Sequence, residues 1–125
     1  MATGLTLSDR QVETLAVEGF LRKMIRILTQ SDPKAGPVLD TAEGQQTLRQ
    51  QYERARGYGL ETERDLGRYI VTAWTMGIDF DRRFPAMSQI LNDPALTPTE
   101  KADGVERTAL TLFALLAEGP KDGAA

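Results

Sequence analysis

The sequence predicts an all-α protein, a single-domain bundle of four longer helices and one short helix. Apolar residues recur at intervals of three and four along most of the chain, as in helices that bury one face. These stretches begin at capping residues or Pro and end near Gly or Pro. No stretch alternates apolar and polar residues long enough for a β-strand, and 125 residues fit one domain, 1–125.

The first helix is predicted over about 8–30. Ser8 and Gln11 have the spacing of a capping box, in which each side chain bonds the other residue's backbone N–H. Arg22 and Arg26 lie one turn apart and are interpreted as a solvated basic face. The alternative, a helix that binds a membrane surface or calmodulin, is disfavoured by nearby glutamates. The apolar stripe consists of Leu15, Val17, Phe20, Leu21, Met24, Ile27 and Leu28.

The second helix is predicted over about 41–58, after the loop SDPKAGPV, whose two Pro and one Gly interrupt helical structure. Asp40 or Thr41 is the expected N-cap. Gly57 and Gly59 allow left-handed termination. The helix is polar and Gln-rich, so we expect it to lie on the surface of the bundle.

The third helix begins after Thr62, which is the expected N-cap. Its apolar residues spread widely around the cylinder over 66–78, which is typical of a central helix. Trp74 is most simply a core residue, and the alternative is an interface anchor, a role in which Trp is enriched. The segment DFDRR is then expected to form a tight polar turn. Pro85 suits the first turn of a short helix over 85–91.

The last helix has the clearest start signal, the sequence Thr97-Pro98-Thr99-Glu100, and is predicted to end near Glu118. Its main apolar face consists of Ala102, Val105, Ala109, Leu112, Phe113 and Leu116. Leu110 and Leu115 fall outside that face. The segment ALTLFALLA is therefore either buried all round or partly exposed for a partner or for homo-oligomerisation. Residues 1–7 and 119–125 are predicted to be disordered tails.

The composition excludes several kinds of chemistry. The chain has no Cys and no His, so disulfides, thiolate nucleophiles, zinc sites built on Cys and catalytic triads containing His are excluded. A net charge of −3 argues against a nucleic-acid-binding surface. The start of the chain lacks the features of a signal peptide, and no apolar run approaches the length of a membrane span. We therefore expect a cytoplasmic protein that is not an enzyme and needs no cofactor.

Two acidic groups are candidates for chemistry, one as a metal site and the other as a carboxylate cluster. Asp79 and Asp81 form a D-x-D pair, a pattern found in metal-dependent enzymes because hard cations bind several oxygen ligands. Arg82 and Arg83 follow at once, and a structural turn or helix cap is the favoured interpretation. The other cluster, residues 61–65, lies in the first turn of a helix, where acidic residues are favoured by the helix dipole.

A family resemblance lies in the segment TERDLGRYIVTAWTMGIDFDRRFPAMSQILNDP. It resembles small bacterial helical proteins encoded beside type VI secretion effectors, often next to a DUF4123 adaptor gene. The segment departs from the family pattern at Gly67, where Ala is usual, and at Ala86, where Trp is common. The matching residues are Arg68, Tyr69, Gly77, Asp79, Phe80, Asp81, Pro85, Ile90, Leu91, Asp93 and Pro94.

The resemblance implies an accessory or co-chaperone protein for effector loading, with a DUF4123-type adaptor, an effector or a spike component as partner. An immunity protein that neutralises a cognate toxin is the alternative, because acidic surface steers toward basic toxins. A hydrolase based on carboxylates is a third hypothesis. The predicted partner-binding residues are Phe80, Arg82, Arg83, Phe84, Leu110 and Leu115.

Overall fold

The computed structural model describes residues 8–118, and the predicted disordered tails lie outside the described residues. Seven helices and no strand are found in this part of the chain, which confirms the all-α class. The helices are α1 (Asp9–Ser31), α2 (Ala35–Leu39), α3 (Ala42–Gly57), α4 (Glu63–Met76), α5 (Phe80–Arg83), α6 (Pro85–Leu91) and α7 (Pro98–Glu118). Helices α1, α3, α4 and α7 are the four longer helices of the prediction, and α6 is its short helix.

Two short helices were not predicted. Helix α2 forms where a loop was expected, because Pro37 lies in its first turn, where the missing N–H costs no helical hydrogen bond. Helix α5 replaces the expected polar turn, with Asp79 at its N-cap position. In both cases one turn of helix buries apolar side chains: Ala35 and Leu39 in α2, and Phe80 in α5.

The described residues divide into two compact units between Arg49 and Gln50, within α3. The single domain 1–125 therefore stays a prediction. In the first unit α1 packs against α2. Ser8 and Gln11 form the predicted capping box, with N···O distances of 2.9 and 3.1 Å. The Thr41 hydroxyl accepts a hydrogen bond from the Gly44 N–H at 3.0 Å, so Thr41 is the cap of α3.

The second unit consists of the end of α3 and helices α4 to α7. Within it α4 packs against α5 and α7, and α6 packs against α5 and α7. Thr62 caps α4, and Thr97 and Glu100 form the predicted capping box of α7. The core contains Leu66, Tyr69, Ile70, Ala73, Phe80, Met87, Leu91, Ala102, Val105 and Ala109, all buried, whereas Trp74 is half-buried.

Candidate functional site

The most exposed apolar surface of the second unit is the C-terminal end of α7. Leu110, Leu115 and Leu116 have exposed fractions of 62%, 59% and 74%, and Phe113 of 39%. Leu110 and Leu115 are thus accessible, as a partner-binding role requires. The predicted apolar face of this helix is buried only up to Ala109, and Leu116 on that face is exposed. Of the two alternatives for residues 109–117, the structure therefore shows partial exposure.

The packing of α7 against α4 explains this exposure. The Thr99 hydroxyl donates to Asp65 at 2.8 Å, and Arg68 contacts Asp103 at 2.6 Å and Glu106 at 2.7 Å. Early residues of α4 therefore lie beside early residues of α7, and the two helices run parallel. Arg68 lies beside Asp103, and α4 ends eight residues after Arg68, at Met76. Eight residues after Asp103 is residue 111, which therefore lies level with the end of α4. The remaining 112–118 extend about 10 Å beyond α4, at 1.5 Å per residue. We call 110–118 the α7 overhang; its first two residues lie level with the end of α4, and 112–118 lie beyond it.

Arg68 holds α4 and α7 in this register. Its guanidinium contacts three carboxylates, those of Asp65, Asp103 and Glu106, at 3.2, 2.6 and 2.7 Å. Burial by itself would lower the pKa of Arg68, but the hydrogen bonds to these carboxylates outweigh it and raise the pKa. Asp65 is 2% exposed and also accepts from the Thr99 hydroxyl, so its buried charge is compensated from both helices. Sequence reasoning assigned Asp65 only to the first turn of its helix.

Helix α5 carries the other predicted contact residues, and the structure corrects one of them. Phe80 is fully buried, with its ring centroid 4.9 Å from that of Tyr69, so it is a core residue and is not accessible to a partner. Arg82 and Arg83 are exposed and Phe84 is half-buried. The Arg83 guanidinium carbon lies 5.9 Å from the centre of the Phe84 ring, within the range of a cation–π contact.

Asp81 is buried beside Phe80 and belongs to a polar cluster. Its Oδ2 accepts a hydrogen bond from the Tyr58 hydroxyl at 2.7 Å, and its Oδ1 lies 3.5 Å from Nη1 of Arg54. Burial, followed by the hydrogen bond to Asp81, raises the pKa of Tyr58 to about 12. Burial and the charge of Asp81 also raise the pKa of Tyr69. These contacts join α3, α4 and α5, which gives Asp81 the structural role favoured by the sequence.

The predicted contact residues form two separate surfaces. Helix α5 packs against α4 and α6, and among the described residues it makes no close approach to α7. The exposed arginines of α5 and the α7 overhang therefore lie on different parts of the second unit. Of the two, the overhang has the larger apolar exposure.

A groove in the first unit was missed by the sequence reasoning. Arg22 and Arg26 of α1 line it together with Arg49 of α3, around a cavity of about 280 Å³. Arg49 contacts Glu18 at 2.6 Å, an ion pair that joins residues 31 positions apart. Such a groove offers guanidinium groups to an anion. The only sequence signal for it was the one-turn spacing of the first two arginines.

Comparison with protein-family models, curated proteins and solved structures finds no match to this chain. Within residues 8–118, no helix is long and apolar enough to cross a membrane. The same residues contain no group of three or more acidic side chains placed to hold a metal ion.

Proposed function

We propose that this protein is a non-enzymatic accessory protein, similar to a co-chaperone, that binds another protein during effector loading in type VI secretion. The observation that carries the proposal is the α7 overhang, where Leu110, Leu115 and Leu116 are each more than half exposed. Water-exposed clusters of large apolar side chains are typical of surfaces that bind another protein. The secretion pathway rests on the resemblance of residues 61–94.

The partner in this proposal is a DUF4123-type adaptor, an effector or a spike component in the bacterial cytoplasm. A nucleic acid is not proposed as partner, since the chain is acidic. No membrane is proposed as partner either. The exposed arginines of α5, Arg82 and Arg83, are a second candidate contact surface. Charged residues at an interface rim mainly affect the association rate, so we expect them to contribute less affinity than the overhang.

Co-purification of the full chain with the adaptor or effector encoded beside its gene tests the proposal. We expect a stable complex with the unmodified chain and with Ala114→Glu, and a complex weakened at least tenfold with Leu115→Glu. Both positions are exposed and lie next to each other on α7, so the pair separates loss of apolar contact from a general effect of added charge. Absence of any complex at micromolar protein would contradict the proposal.

An immunity protein is the second candidate, and the net charge of −3 favours it. An acidic surface accelerates association with a basic toxin through long-range attraction. Expressing the chain alone should then protect cells from the neighbouring toxin. Unprotected cells with normal amounts of the protein would remove this candidate.

A further inference from the structure

The apolar side chains of the α7 overhang extend around most of the helix. Successive residues of an α-helix are separated by about 100°. Leu110 and Leu115 are five residues apart, so the shorter arc between them around the helix axis is about 140°. Phe113 and Leu116 lie within the other, longer arc, so the four side chains together span about 220° around the helix. All four are exposed.

The remaining side of the overhang differs in character. It carries Thr111 and Ala114, which are exposed, and Glu118 follows on the same side one turn later. Thr111 donates a hydrogen bond to the Arg107 carbonyl of its own helix at 3.0 Å. No charged residue occurs within 110–117. The helix end therefore has a broad uncharged apolar side and a narrower side that can remain solvent-exposed at little cost.

The width of the apolar arc decides which occupant fits it. A neighbouring helix covers a stripe of roughly 100° or slightly more. If a second copy of this chain packed along the overhang, either Leu110 or Leu115 would stay in water on both copies. A concave surface with two walls covers both flanks and the Phe113–Leu116 side at once. Helices that bind in apolar grooves of a partner protein are a known mode of recognition.

We propose that the α7 overhang inserts as a helix into an apolar groove of a partner protein, with the Thr111 and Ala114 side left open to water. This inference rests on the proposed function and specifies how its partner is bound. The partner groove needs at least two apolar walls and no charge along its floor, because the inserted segment offers none to pair with. The described part of the helix reaches about 10 Å beyond α4, so the groove accommodates at least about two helical turns.

Site-specific photo-crosslinking in the native host tests the inference with the full chain. The photoreactive residue p-benzoylphenylalanine replaces Leu110, Leu115 or Leu116, with Ala114 as the control position on the same turns. We expect the three leucine positions to yield crosslinks to one and the same protein, with different peptides of it joined to positions 110 and 115. We expect the control to yield less than a tenth as much product.

The outcomes separate this inference from the proposed function. Crosslinks from both flanks to a protein outside type VI secretion would support the groove and refute the proposed function. Co-purification of an adaptor or effector with crosslinks from one flank only, or with none, would refute the groove and keep the proposed function. A product of twice the chain mass as the main species would overturn the inference in favour of a second copy of this chain.

Discussion

Replacing Phe80 by Ala tests whether this residue belongs to the core or contacts a partner. Loss of a core side chain lowers the free energy of unfolding, whereas loss of a partner-contact side chain lowers binding. Phe80 is fully buried against Tyr69. Phe→Ala changes in protein cores lower the free energy of unfolding by about 3–5 kcal/mol. A domain of ordinary stability has only about 5–15 kcal/mol in total. We therefore expect Phe80→Ala to lose about a fifth or more of the stability of the second unit.

Urea unfolding measures this loss. Trp74, the only Trp of the chain, lies on α4 in the same unit as Phe80, so its fluorescence reports on the unfolding of that unit. Far-UV circular dichroism follows all helices, and a difference between the two signals would reveal separate unfolding of the first unit. At this chain length, the change should lower the melting temperature by about 10–20 °C.

Arg83→Ala is the matched control on the same short helix. Its side chain is exposed, so we expect a change within about 0.5 kcal/mol. If Phe80→Ala unfolds at the urea concentration of the unmodified chain but no longer binds the partner, Phe80 is a contact residue. The reasoning that places it in the core is then refuted.

Three further changes test other parts of the structure. Tyr58→Phe tests the pH dependence. The folded pKa of Tyr58, about 12, exceeds its value of 10.0 in the unfolded chain, so its contribution to stability is complete below pH 10 and is lost as the pH rises through 12. Between pH 10 and pH 12 the urea midpoint should therefore fall less steeply with pH in the Phe variant than in the unmodified chain. Equal slopes for the two proteins would contradict the raised pKa of Tyr58. Arg68→Ala removes the cation that compensates the buried carboxylate of Asp65, and we expect urea unfolding to show a loss of about 2–4 kcal/mol. The control Arg64→Ala removes an exposed side chain and should lose less than about 0.5 kcal/mol, and similar losses for the two variants would argue against the ion cluster. Gly44→Ala places a methyl group against the backbone at the end of α2, and thermal melts should show a loss of about 1–3 kcal/mol. Gly57→Ala has open space around the new methyl group and should cause no loss, so destabilisation by both variants would show that the steric clash at Gly44 is not the cause.

Local signals predicted the ends of helices correctly. The caps at Ser8, Thr62 and Thr97 depend on residues at most three positions away, so their physics is contained in a short stretch of sequence. The same holds for α6, whose first turn is favoured by Pro85.

Burial was harder to predict, because it depends on residues distant in sequence. Phe80 and Asp81 were expected in a tight polar turn, but both are buried by residues distant in sequence. Phe80 packs on Tyr69 of α4, and Asp81 accepts a hydrogen bond from Tyr58, which follows α3. Leu116 has the periodicity of a core position, but it is exposed because α4 ends before reaching it. Periodicity locates the apolar side of a helix and does not tell how far its neighbour extends.

The parallel pairing of α4 and α7 separates two properties that many binding helices combine. Stability depends on the first turns of α7, where Arg68 holds Asp103 and Glu106, while the partner surface proposed above begins at Leu110. A helical turn added to or deleted from the α7 overhang would change its length by about 5.4 Å without altering the ion cluster or the core. Selection can therefore adapt this helix end to new partners at little risk to folding, and a designer can exchange it in the same way.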